Sequence, residues 1–131
     1  MLKVTFLYHS AFLVELSHCS LLFDWYGGAI PAFDRHKPLY VFSSHHHGDH
    51  YSPEIFSLLG MDNVWYVLAN CIRLSVKRKA ALGIEETHVL RVSAGRTFLL
   101  EELRITTFRS TDAGVAFLVE TEGKTLFHAG D

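Results

Sequence analysis

Four of the nine histidines in this 131-residue chain fall in "SSHHHGDHYSP", Ser43 to Pro53, together with one aspartate. The chemical reading is His45-x-His47-x-Asp49-His50. In an extended segment residues i and i+2 point the same way, so His45 and His47 reach one ion while His46 points elsewhere. Gly48 permits a sharp turn that aims Asp49 and His50 at a second point. Imidazole and carboxylate suit zinc, with iron or manganese as alternatives, and two ions about 3.5–4 Å apart can share a bridging hydroxide nucleophile. The plain alternative is a solvated histidine loop or a tag remnant. Tags sit at termini, and chance runs rarely carry this spacing after an apolar strand.

Such a loop needs a rigid strand to launch it. "LYVFSS" is continuous and β-prone, bounded by Pro38 and the histidines, and reads as a strand buried on both faces. A loop at the carboxyl end of a buried strand is where open α/β folds place their sites. Upstream, "KVTFLYH", "AFLVEL" and "LLFDW" predict a three-stranded meander, followed by a loop over 26–38 with two glycines and two prolines. Ser52-Pro53-Glu54 is a helix start: a capping hydroxyl, a proline for the first helical position, and an acid at the positive dipole end. "NVWYVLA" predicts the next strand, and "CIRLSVKRKAALG" an amphipathic helix stopping at Gly83. Strands are expected at 88–92, 96–100, 103–109, 114–121 and 124–128, with "EGK" at 122–124 turning a final hairpin.

Composition bounds the partners. The chain is 49% hydrophobic and 20% charged with a net charge of −2, the profile of one globular domain with a real core. Nothing in that balance favours nucleic acid or a membrane surface, and no apolar run approaches a membrane span. The "KRK" at 77–79 reads as the wet face of a helix. Cys19 and Cys71 lie far apart without a C-x-x-C partner, which implies no disulfide framework and fits a reducing cytoplasm. "AFLVE" occurs at 11–15 and again at 116–120, with Ser/Thr and Leu/Phe kept in step beyond it. That echo predicts a second structural half opening near residue 105 in a chain that looks truncated after it.

H-x-H-x-D-H after a hydrophobic strand resembles the signature of the metallo-β-lactamase-fold hydrolases. The likeness spans the opening hairpin, "LLFDW", "YVFSSHHHGDHYSP" and a strand ending in "LFHAGD", and its tone is nearest the branch of ascorbate-6-phosphate-lactonase-like proteins. It implies an α/β (α+β) fold: the N-terminal half of an αβ/βα sandwich, with a mixed, mostly antiparallel sheet and flanking helices. It also implies two divalent metal ions, zinc first, and a metal-bound hydroxide that attacks an ester, lactone, amide or phosphodiester in a small-molecule substrate. The ligand set would be His45, His47, Asp49 and His50, with Asp131 as the bridging carboxylate and Asp49 also orienting the nucleophile. The family's further histidine before the bridging aspartate is missing from "RSTDAGVAF". There Asp112 either ligates or leaves the position open. The family's last ligand histidine would lie beyond Asp131. The alternative is therefore a metal-binding half-domain without turnover, completed by self-association as a homo-oligomer or by a C-terminal segment.

Other polar residues have plainer readings. Asp24 either holds a ligand histidine by hydrogen bond or is an ordinary strand-end aspartate. His9 and His128 read as histidines satisfied by backbone, and His18 and Cys19 as turn residues.

Overall fold

The computed structural model describes residues 2–60, 63–73, 77, 81, 83, 86–110 and 114–130. Ten strands are present among them: β1 Leu2–Tyr8, β2 Ala11–Leu16, β3 Ser20–Phe23, β4 Leu39–Ser43, β5 Val64–Ala69, β6 Val89–Val92, β7 Thr97–Leu100, β8 Leu103–Arg109, β9 Val115–Thr121 and β10 Lys124–His128. They form a six-stranded sheet in the order β1-β2-β3-β4-β5-β6 and a four-stranded sheet in the order β10-β9-β8-β7. Five of the eight pairings are antiparallel, and the three parallel ones join β3 to β6.

The parallel strands explain the sequence pattern. β4 is buried along its whole length, as its unbroken apolar run requires of a strand covered on both faces. One face packs Phe23, Phe42 and Val67 against Ile105, Phe117 and Val119 of the smaller sheet. The other packs Leu22, Val41 and Tyr66 against Trp25, Ile55, Phe56 and Ile72. Burying an aromatic or aliphatic side chain contributes about 1.5–3 kcal/mol, so the central strands anchor the loops at their carboxyl ends firmly.

The two "AFLVE" segments lie in hairpins of identical register. Phe12↔Phe23, Leu13↔Leu22, Val14↔Leu21 and Glu15↔Ser20 become, on adding 105, Phe117↔His128, Leu118↔Phe127, Val119↔Leu126 and Glu120↔Thr125. A cross-strand ion pair also recurs: Lys3 with Glu15 at 3.9 Å, and Arg104 with Glu120 at 3.8 Å. The turn of the later hairpin, Glu122-Gly123, has both residues at positive φ, the mirror-image turn that suits strand twist.

The flanking helices require a correction. Among the described residues, the continuous helical segments are the 3-10 turns Pro53–Gly60 and Glu86–His88, and Lys77 and Ala81 are α-helical. The first begins where Ser52-Pro53-Glu54 predicts: Glu54 N–H donates to Ser52 Oγ at 3.2 Å, and Ile55 N–H donates to the Ser52 carbonyl at 3.1 Å. That i→i+3 bond winds the chain with fewer residues per turn than an α-helix. Most of the helix expected over 71–83, including two of the three "KRK" residues, lies outside the described residues.

Candidate metal centre

Asp24, His45, Asn70 and Ser93 follow β3, β4, β5 and β6 at one end of the larger sheet, so the histidine loop sits on a rim of parallel strand ends. His45 is buried and His47 exposed, yet their rings converge, with Nε2 of His45 at 2.7 Å from Nδ1 of His47. Two imidazoles on one tetrahedral zinc hold their nitrogens about 3.3 Å apart, so an opening of roughly 0.6 Å would admit the ion. His46 is exposed, its ring centroid 5.6 Å from that of His45.

Asp24 organises the second pair. It is fully buried at φ 48°, and its Oδ1 accepts the Ser44 N–H at 2.7 Å while Oδ2 accepts the Ser44 hydroxyl at 2.6 Å. The same Oδ2 lies 2.8 Å from His50 Nδ1, and Ser10 Oγ lies 3.1 Å from that nitrogen. A carboxylate only accepts, so Nδ1 carries a proton, and in the neutral ring Nε2 keeps the lone pair. Nε2 in turn stands 3.6 Å from Asp49 Oδ1. Of the two readings of Asp24, the histidine-holding one matches this geometry.

The loop is shaped differently from the glycine-based expectation. Gly48 has no positive φ, and a Cβ there would meet nothing within 4 Å. A helical-type turn bends the chain instead, with the His50 and Tyr51 N–H groups donating to the His47 carbonyl at 2.9 and 3.0 Å. Gly114 is the constrained glycine. A Cβ on it would stand 2.6 Å from both His45 Cβ and the Ser44 carbonyl, while Val115 N–H ties β9 to that carbonyl at 2.9 Å. Close backbone approach requires glycine here, and nothing in the sequence marked it.

Asp112 and Asp131 lie outside the described residues. His128 accords with its plain reading: its Nε2 donates to the Ser10 carbonyl at 2.7 Å, and its ring stacks on Phe23. His9 is instead exposed in a left-handed turn.

Among the described residues, three ligand atoms mutually within 4.8 Å occur at Cys19, Glu102 and Glu122, at the opposite end of the sandwich. That group reads as a strap. Glu122 accepts the Ser17 and His18 N–H groups at 3.0 and 2.8 Å. Burial first, and then Glu102, push the Cys19 thiol well above its usual range, away from the thiolate that ligates metal. The histidine loop therefore presents two pairs, His45/His47 and Asp49/His50.

No family model matches the chain. It is 29% identical over 150 residues to a UPF0173 metal-dependent hydrolase of Desulforamulus reducens, covering 99% of this chain and 62% of that protein. Among solved structures, the metallo hydrolase Igni18 of Ignicoccus hospitalis superposes with a TM-score of 0.69 at 18% identity, over 99% of this chain and 60% of that one. The metallo-β-lactamase fold protein YhfI of Bacillus subtilis superposes with a TM-score of 0.60 at 17% identity, over 92% of this chain and 54% of that one. The chain has the metallo-β-lactamase fold. In this fold the histidine loop, Asp24 and the β3–β6 strand ends form one rim. The chain spans about three fifths of the length of the curated relatives it matches.

Proposed function

We propose that this chain carries the metal-holding part of a metal-dependent hydrolase acting on an ester, lactone, amide or phosphodiester in a small molecule. The observation that carries the reading is the pairing of donors: two imidazole nitrogens converging at 2.7 Å, beside His50 oriented by buried Asp24. His45 and His47 would hold one divalent ion and Asp49 and His50 a second, with Asp112 and Asp131 as further candidate ligands. Zinc suits this donor set, as do iron and manganese. Such ions, when bound, supply Lewis acidity and activate water near neutral pH.

The chain's own residues do the rest. Asp24 fixes the His50 tautomer so that Nε2 faces the site, and Ser44 holds Asp24 through both of its oxygens. Gly114 keeps β9 close enough to pin His45. Asp49, whose side chain is 56% exposed, is the carboxylate placed to orient the attacking water and accept its proton.

Elemental analysis of protein of confirmed intact mass, purified without chelators, tests this. Two transition-metal ions per chain, with hydrolysis in an ester, lactone and phosphodiester screen, is the expected result. One ion or none would overturn the two-ion reading.

A second reading has its own support: a half-domain that binds metal but needs a further segment or a second copy for turnover. The matching hairpins differ in their cover. Leu22 is fully buried beneath Ile55 and Phe56, whereas its counterpart Phe127 is 61% exposed. Metal binding without hydrolysis, and activity restored by adding the remaining two fifths of a relative in trans, is the result this reading expects.

A further inference from the structure

A cleft of 490 Å3 opens beside the histidine loop, lined by His46, Tyr51, Cys71, Ile72 and Arg73. Its size matters. The cavity at Asn70, Ser93 and Arg109 measures 260 Å3 and the apolar groove between β2 and β10 measures 210 Å3, both below the roughly 300–1,000 Å3 that holds a small-molecule ligand. The larger cleft is also close to the chemistry. The His46 ring that lines it lies 4.6 Å, centroid to centroid, from the His47 ring.

The polar side chains of the lining share one chemical character, beside an apolar wall at Ile72. Arg73 brings a guanidinium, a permanent cation whose planar donor fork matches carboxylate and phosphate oxygens. His46 brings an imidazole and Tyr51 a phenol hydroxyl, each able to donate. No carboxylate lines the cleft among the described residues. Ile72, on the far wall, is buried in the outer core and ties this wall to β5. A cleft with three donor side chains, one of them a fixed positive charge, and no acid among its described lining suits an oxyanion.

We propose that Arg73, with His46 and Tyr51, forms an oxyanion subsite that holds a carboxylate or phosphate group of the substrate a few bonds from its scissile centre. The inference rests on the hydrolase reading in calling the bound molecule a substrate. Its test needs neither metal nor turnover, so the two readings fail separately.

Cys71 provides the probe, because it is half-buried in the cleft wall, whereas Cys19 is buried at the other end with a raised pKa and serves as an internal control. Iodoacetate and iodoacetamide alkylate the same thiolate but differ in charge. On chelator-treated protein, the iodoacetate-to-iodoacetamide rate ratio at Cys71 should exceed that of free cysteine at least threefold. Inorganic phosphate or acetate should slow labelling by iodoacetamide saturably. The anion that protects at the lower concentration identifies the group as phosphate or carboxylate. Arg73→Gln should abolish both effects, and Arg73→Lys should keep part of them. Arg73 is exposed, so either variant should fold, with circular dichroism as the check. A ratio equal to that of free cysteine, no protection by either anion, or protection that persists in R73Q would overturn the proposal.

Discussion

Asp24 ligates nothing in the proposed site, yet its removal should be felt there first. Asp24→Asn replaces an acceptor that fixes His50 Nδ1–H with an amide able to donate, so His50 loses its enforced tautomer. Metal affinity should fall about 10–100-fold by competition with a chromogenic chelator. Unchanged affinity would return Asp24 to an ordinary strand-end role. The glycines offer a paired contrast. Gly114→Ala forces a Cβ to within 2.6 Å of the Ser44 carbonyl and His45 Cβ, and should cost about 1–3 kcal/mol in chemical denaturation together with weakened metal binding. Gly48→Ala, inside the loop itself, meets open space at an ordinary φ and should change stability by no more than about 0.5 kcal/mol.

At the scale of elements, the turn between β9 and β10 clamps the turn between β2 and β3 through Glu122. Burial opposes ionisation of that carboxyl, but the His18 and Ser17 N–H groups outweigh it, so its pKa lies below the ordinary 4.5. A depressed folded-state pKa means that the stabilisation is present above the unfolded value and is lost as pH falls through the folded one. The denaturation midpoint of the wild type should therefore drop below about pH 4.5. Glu122→Gln should start lower at pH 7, by about 1 kcal/mol, and lose less on acidification. Strands were the legible part of this molecule. "LYVFSS" is apolar without a break because β4 is covered on both faces, and the expected strands at 103–109 and 124–128 match β8 and β10 residue for residue. At Pro53–Gly60 the helical type was not legible, since a capping serine and a proline open a 3-10 turn as readily as an α-helical one. The histidines and aspartate of the loop stood out in the sequence because their types and spacing suit metal chemistry. Ser10, Gly114 and Arg73 did not, because each reaches the rim through tertiary contact, and a lone serine, glycine or arginine leaves no local pattern.

The whole molecule carries exposed apolar surface on both of its sheets. Phe108 and Phe127 stand 6.2 Å apart on the outer face of the smaller sheet and are 44% and 61% exposed, and Leu2, Val4 and Phe6 add to the exposed apolar area along β1. On the half-domain reading, sedimentation should show concentration-dependent association, and the double variant Phe108→Ser, Phe127→Ser should weaken it at least tenfold, about 1.4 kcal/mol. A chain that stays monomeric at every concentration would count against that reading. The bond from His128 to the Ser10 carbonyl also orders events in time. It spans 118 residues, and Ser10 is one of the groups that steady His50. At about 5–20 residues per second, a ribosome needs on the order of ten seconds to travel from one partner to the other. Through that interval the histidine loop has already emerged while the strand that braces it has not been made. This setting of His50 thus belongs to the folded chain and not to its first hundred residues.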